Sequence, residues 1–263
     1  MSDAHAHVQR TLTGRVAIVT GAAAHLGLGL VEALAAAGAA VALGSRRLET
    51  AEAVGSRLRE TGARAIGVRN DVGSTDDVDD LVARVVAEWG RLDIVVHNAS
   101  STASSIPTSF VDLTDASWFE QWDVSIGGAH RLARAAFPHL QASRHGRFFV
   151  MSSTQGLHGG SMNPCYAAIK SGLRGFAKSL AREWGPHGIL VSALAPAALT
   201  GASRDYLERN PDFAARIRSV TPLGRLGDPC EDIGRTLVAM CGDDWNYVTG
   251  LTLMVDGGHY LAQ

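Results

Sequence analysis

Lysine is almost missing from this chain. Lys and Arg together number 24, yet only Lys170 and Lys178 are lysine, and arginine carries every other positive side chain. Neither sign of charge is in excess, since 26 acidic residues leave a formal net charge of −2. That balance offers no general attraction to nucleic acid or an anionic membrane. The three cysteines, Cys165, Cys230 and Cys241, lack the spacing of a metal site. They read as reduced thiols of a cytosolic protein. No apolar run approaches the roughly 18 residues of a membrane span, and the opening MSDAHAHVQRTL has no apolar stretch of a secretory signal. A cytoplasmic location is therefore expected. His5 and His7 could bind a metal, but they read more simply as part of a flexible tail over residues 1–12, and no metal site is expected. Linkers, internal repeats and low-complexity segments are also lacking.

What is present is an alternation of short apolar runs and helical patterns. The runs are VAIVTG (16–21), AVALGS (40–45), AIGVRN (65–70), IVVHNA (94–99), RFFVMSS (147–153), ILVSALAP (189–196) and LTLMVDGG (251–258). Their near-continuous hydrophobicity is that of strands buried on both faces. Between Ser74 and Trp89, the residues Val78, Leu81, Val82, Val85, Val86 and Trp89 share one helical face. Ser74 with Asp77 resembles a capping box. A later helix starts at DPCED, with Asp228 as N-cap and Pro229 in its first turn, and buries Ile233, Leu237 and Met240. Such alternation predicts an α/β, doubly wound, seven-stranded parallel sheet of Rossmann-like type in one domain over residues 13–263. The 263-residue length and 46% hydrophobic content suit a single unit of that size. The least regular part, about 198–222, is long for a connection. It reads as a lid.

Three stretches carry chemistry. TGAAAHLGLG (20–29) joins the first strand to an alanine-rich helix, the place where glycine lets backbone approach a phosphate and the helix N-terminus attracts it. The second strand ends in GSRR (44–47). Ser45 and Arg46 stand where a carboxylate would bind the ribose hydroxyl of NAD, and arginine suits the 2′-phosphate of NADP; the plain alternative is a solvated arginine pair. In CYAAIK (165–170), Tyr166 and Lys170 are four apart and share a helix face. A nearby ammonium stabilises phenolate and lowers a tyrosine pKa from its usual ~10. A lysine here, in a chain that otherwise prefers arginine, suggests a need for a compact ammonium. Taken alone, the pair reads more simply as an exposed Tyr–Lys couple.

Together the motifs resemble the compact short-chain dehydrogenase/reductase family over residues 13 to 258. TGAAAHLG is similar to TGxxxGxG, NDV (70–72) to the adenine-packing segment, HNAS (97–100) to NNAG, YAAIK to YxxxK, and PAALT (196–200) to PGxxxT. Ser153, thirteen residues before Tyr166, matches the catalytic serine. TPLGRLGDP (221–229) and YVTGLTLMVDGG (247–258) resemble the closing segments. The resemblance implies hydride transfer between NADP(H) and a ketone, aldehyde or secondary alcohol. Tyr166 would be the acid or base, Lys170 its modulator and ribose ligand, and Ser153 the partner of the substrate oxygen. Cofactor contacts would come from Gly21, His25, Leu26, Gly27, Ser45, Arg46, Asp71, Val72, Asn98, Tyr166, Lys170, Pro196 and Thr200. A homotetramer is implied, paired through helices near 114–140 and 164–184.

The chain departs from this pattern at several points. The middle glycine of the first motif is His25, which either faces phosphate or substrate or only tolerates a positive φ. The active-site asparagine of DVNxxG is Ser125 in DVSIGG (123–128). That position anchors a relay water largely through its main-chain carbonyl, which serine retains, so Ser125 stays in the expected catalytic set. Ser100 and Ala197 replace glycines near the nicotinamide. Cys165 borders Tyr166 without a histidine partner for nucleophilic work. These departures motivate two alternatives, a non-catalytic dinucleotide-binding regulator and a lyase on the same fold. The complete Ser153, Tyr166 and Lys170 set disfavours the first, and Lys170 with Gly21 and Gly27 the second. Tyr206, Leu207, Phe213 and Ile217 in the lid suggest an apolar or aromatic small-molecule substrate.

Overall fold

The computed structural model describes residues 11–199 and 207–260. His5, His7, Thr200 and Tyr206 lie outside the described residues.

All seven apolar runs form strands: β1 Val16–Thr20, β2 Ala40–Ser45, β3 Ala65–Arg69, β4 Ile94–His97, β5 Arg147–Met151, β6 Leu190–Pro196 and β7 Thr252–Val255. They make one sheet in the order β3-β2-β1-β4-β5-β6-β7. Every neighbouring pair is parallel. Alternate residues feed two separate apolar layers. Val16, Ile18, Val95, Phe148 and Val150 face one layer, and Ala17, Val19, Val96, Phe149 and Met151 face the other. Burial on both faces is the reason the strands read as unbroken apolar runs.

The first layer is closed by three helices, α3 Thr75–Trp89, α5 Gly128–Ser143 and α7 Pro164–Trp184, the last preceded by the single turn α6 Gln155–His158. The second is closed by α1 His25–Ala36, α2 Leu48–Glu60 and the helix Arg235–Cys241. The expected face of α3 is confirmed: Val78, Leu81, Val82 and Val85 are buried, while Val86 and Trp89 pack at its margin. Its cap is only half a capping box. Ser74 accepts from the Asp77 N–H, but the Asp77 carboxylate turns to the Asp71 N–H and to Arg69. Asp228 caps as expected, accepting from Cys230 N and Glu231 N, and Ile233, Leu237 and Met240 are buried. The packed chain also begins earlier than the expected tail boundary. Leu12 is fully buried in the second layer, and its N–H donates to the Ala37 carbonyl.

Strand order reverses between β1 and β4, so their connections leave on opposite faces and open a crevice at the carboxyl ends. One side of that crevice depends on how closely α1 meets the wide turn Pro229–Gly234. A Cβ on Gly29 would lie 2.5 Å from the Pro229 Cβ and 2.6 Å from the Cys230 N. No rotamer relieves a clash with backbone. Gly29→Ala is therefore expected to cost about 1–3 kcal/mol and to lower Tm on the order of 5 °C. Calorimetry of the purified variant checks this, and an unchanged Tm would show that the two elements part freely.

Candidate functional site

The crevice begins with the turn after β1. Thr20 is buried at the strand end, and its Oγ1 accepts from the N–H groups of Asn98 (3.2 Å) and Ala99 (3.1 Å). In return the Asn98 amide donates to the carbonyls of Thr20 (3.1 Å) and Gly21 (2.9 Å). The loop after β1 is thus stitched to the loop after β4. Gly27 lies beneath this stitch: a Cβ there would run into the Gly21 carbonyl and lie 2.7 Å from Asn98 Nδ2. His25 has φ 51, a conformation histidine accepts at modest cost. Its side chain is exposed at the start of α1, so the turn accommodates a histidine there without burying it. Leu26 is half-buried and packs against the second apolar layer, with its backbone in the first turn of α1.

Of the rest of the expected cofactor set, Ser45, Arg46, Asp71, Val72 and Pro196 lie at or just beyond the carboxyl ends of the strands. Ser45 closes β2, its Oγ accepting from the Arg47 N–H at 3.3 Å, and Arg46 beside it is exposed. Asp71 folds back on its own turn, accepting from the Gly73 N–H at 3.0 Å. Val72 is buried, and its carbonyl accepts from Arg131 at 3.2 Å. Pro196 ends β6, and the following Ala198 and Leu199 are tied to Gly227. Asn70, which opens the NDV motif with no contact expected of its own, is buried with neither side-chain amide atom bonded to protein.

The dyad sits at the end of β5. Ser152 Oγ donates to the Lys170 carbonyl at 2.9 Å, seating the strand end on α7. Lys170 is 4% exposed, and its Nζ donates to the Met151 carbonyl at 2.7 Å. Burial lowers its pKa to about 8. The ammonium stands 5.4 Å from the Tyr166 ring centre. For Tyr166 the structure departs from the expected lowering. Burial raises its pKa, and the group that opposes the rise is the Ser153 hydroxyl. The reason is geometric, because Lys170 lies over the ring face with a donor engaged by Met151. Ser153, Tyr166 and Lys170 are brought together; Ser153 Oγ also accepts from the Gln155 N–H. Cys165 is buried beside them, its thiol raised by burial and turned to the Trp118 carbonyl at 3.7 Å.

Ser125 is buried in a π-turn, Asp123–Gly127, that links α4 Asp115–Trp122 to α5. Such wide turns favour functional positions. Its hydroxyl has no protein partner. Its carbonyl accepts from His97 Nε2 at 2.8 Å, a contact the motif reading missed. The signal was present in the sequence as the histidine of HNAS, where the family pattern has asparagine. His97 is fully enclosed, and burial, then the charge of Lys170, lowers its pKa to about 3 against the pull of the Ser125 carbonyl.

Two loops flank the dyad. The Thr108 N–H donates to the Met162 carbonyl at 2.6 Å, and Met162 itself has φ 63. Farther out, Leu199, Leu207, Ala214, Ile217 and Leu226 line a hollow of 540 Å³ under the helix Pro211–Val220. None of the dyad residues borders it. Among the described residues no group of three His, Cys, Asp or Glu could hold a metal, and no helix is long and apolar enough to cross a membrane.

A parallel sheet with a glycine turn at its switch point and a Ser, Tyr and Lys cluster beside it defines a class of dinucleotide-type folds. The chain belongs to the short-chain dehydrogenase/reductase family. A family model described as enoyl-(acyl carrier protein) reductase matches residues 21–260. The chain is 34% identical over 251 residues to the 3-oxoacyl-(acyl-carrier-protein) reductase FabG of Escherichia coli, covering 95% of this chain and 98% of that one. It is also 34% identical to a cis-4-hydroxycyclohexanecarboxylate dehydrogenase of Sinomonas cyclohexanicum, covering 93% and 96%. A solved 3-ketoacyl-(acyl-carrier-protein) reductase from Brucella melitensis, complexed with NADH, superposes with a TM-score of 0.84 at 27% identity, covering 95% of this chain and all of that one.

The buried lysine has a consequence for stability. Its folded pKa of about 8 lies below its ordinary 10.5. Between those values the unfolded chain holds a proton the native chain has released, so this group makes stability rise with pH, by up to about 1.4 kcal/mol per unit. Wild type is expected to gain in Tm over Lys170→Met from pH 8 to pH 10. A constant difference would place the lysine in water. His97 is expected to stay a neutral Nε2–H tautomer from pH 5 to 8, because its partner carbonyl can only accept. Long-range 1H–15N spectra check this, and a titrating imidazole in that range would contradict it.

Proposed function

We propose that this chain is an NADP(H)-dependent oxidoreductase that moves hydride between the nicotinamide and the carbon of a ketone, aldehyde or secondary alcohol. The observation that carries the reading is the meeting of Ser153, Tyr166 and Lys170 at the end of β5. They adjoin the crevice where β1 and β4 diverge.

The residues present fit a dinucleotide. Gly27 packs against the Gly21 carbonyl and the Asn98 amide with no room for a side chain, which seats the start of α1, with its outward-facing N–H groups, directly beside the β1 loop. Gly21, His25, Leu26 and Gly27 would hold phosphate, with Ser45 and exposed Arg46 at a 2′-phosphate. Asp71 and Val72 would flank adenine, and Asn98, Pro196 and Thr200 would lie toward the nicotinamide end. Tyr166 and Lys170 would hold its ribose. The cofactor supplies the hydride chemistry.

The side chains supply the proton. In reduction Tyr166 donates its phenol proton to the substrate oxygen, and burial keeps that proton in place beforehand. Ser153 donates a hydrogen bond to the same oxygen and orients it. Lys170 uses one of its three N–H donors on Met151 and has others to turn toward the phenolate that forms. Its pKa of about 8 leaves it charged at neutral pH.

An apolar or aromatic substrate is inferred from the apolar character of the segment over about 198–222, whose hollow lies apart from the dyad. The relatives named above act on 3-oxoacyl-(acyl-carrier-protein) and on a hydroxylated ring acid. A screen should therefore include a 3-oxobutanoyl thioester, a substituted cyclohexanone and a phenyl ketone. Exposed Phe110, Val111, Phe119 and Trp122 around α4 fit burial in a homotetramer, which light scattering would measure.

Fluorescence titration with NADPH and NADH tests the cofactor. NADPH is expected to bind at least tenfold more tightly, and Arg46→Asp to reverse the order. Equal binding of both by wild type would remove the role given to Arg46. Tyr166→Phe is expected to lose at least about a hundredfold in kcat while keeping NADPH affinity within about threefold. Turnover surviving in that variant would overturn the mechanism.

A further inference from the structure

The carbonyl expected to anchor a relay water is already engaged by protein. Ser125 O accepts from His97 Nε2 at 2.8 Å, and the Gly128 N–H also points to it. A carbonyl has two lone pairs and no proton, so Nε2 carries the ring hydrogen. The bare Nδ1 is then an acceptor, and Thr20 Oγ1 donates to it at 3.3 Å. The same Thr20 oxygen accepts from Asn98 and Ala99. On the far side, the Ile126 side chain next to Ser125 packs 3.2 Å from where a Cβ on Gly172 would sit, on α7. Tyr166 and Lys170 stand on that helix. The Ser125 hydroxyl, buried and without a protein partner, adds nothing to this hold.

We propose that His97 is a positioning residue. It clamps the π-turn through the Ser125 carbonyl and links the cofactor loop to the helix that carries the dyad. The inference rests on the hydride-transfer reading above. In this chain the histidine at 97 and the serine at 125 form one unit. The longer side chain reaches the carbonyl directly, and the site does not depend on an amide at position 125.

Two substitutions separate the ends of the ring. Glutamine places its amide nitrogen near the position of Nε2, whereas asparagine reaches only as far as Nδ1. His97→Asn is expected to lower kcat about tenfold, a loss of about 1.4 kcal/mol, with KM and NADPH affinity within about twofold. His97→Gln is expected to keep kcat within about threefold. Hydrogen exchange of amides 123–128 should quicken in the Asn variant and not in the Gln variant, a readout independent of turnover. Tyr166→Phe runs alongside. If it is inactive while His97→Asn turns over and exchanges like wild type, the clamp is wrong and the hydride reading stands. If Tyr166→Phe stays active, the hydride reading itself fails. Should His97→Asn not fold, the Gln variant decides: preserved turnover and exchange support the clamp, and loss of both overturns it.

Discussion

Where β1 and β4 diverge, the backbone at the strand ends loses its ladder partners, and a few side chains replace them. Thr20 and Asn98 do this reciprocally: the threonine oxygen accepts two N–H groups of one loop, and the asparagine amide donates to two carbonyls of the other. Buried backbone groups must be satisfied in this way or lose stability. Everything at the carboxyl end depends on that exchange. Gly27 can lie under the loop only because the loop is held there, and α1 starts where the loop directs it. The shape of the crevice mouth on this side is set once these bonds are made.

Electrostatics at the dyad follows from one buried cation. Lys170 is nearly sealed from water, and its charge is tolerated because Met151 supplies a carbonyl at 2.7 Å. A second cation close by would be repelled. His97, enclosed and within the field of Lys170, is therefore neutral, and the Ser125 carbonyl fixes which of its nitrogens keeps the proton. A neutral ring with one donor and one acceptor can face a carbonyl on one side and a hydroxyl on the other. An imidazolium would offer two donors, and Thr20 would lose the acceptor for its proton. The site thus holds one positive charge and arranges its neighbours as hydrogen-bonding groups without charge.

The strands were legible because burial on both faces removes polar residues from them, and all seven runs in the sequence became strands. The face of α3 and the Asp228 cap were legible for local reasons, a period of 3.6 and a preference for short polar side chains at helix starts. Other features depended on partners far along the chain. Asp77 lies at capping-box distance from Ser74, yet Arg69 and the Asp71 N–H compete for it. The π-turn at 123–127 is not marked in sequence, since Gly127 and Gly128 signal a weak point in a helix without specifying a wide turn. The His97 contact spans 28 residues and involves a backbone atom, which carries no residue-type signature. The Tyr166 pKa depended on where the lysine ammonium points, and spacing on a helix fixes the shared face but not that direction.

The scarcity of lysine has a physical reading at this one position. An arginine at 170 would bring a planar fork with fixed donors and a charge that never leaves. Its donors could not swing between the Met151 carbonyl and a phenolate. Its charge would also be buried at every pH, without the option of releasing a proton that a pKa of about 8 gives lysine. The space at the end of β5 is closed by Ser152 on the Lys170 carbonyl and by Arg174 on the Gly156 carbonyl. That closure suits a single ammonium on an unbranched stem. Elsewhere arginine serves both at the surface, paired with carboxylates as in Arg69 with Asp77 and Arg225 with Asp232, and in the interior, where Arg147 donates to the Gly146 carbonyl and to Asn246. At position 170 an ammonium engaged by Met151 keeps further donors that can rotate, which a fixed guanidinium fork would not.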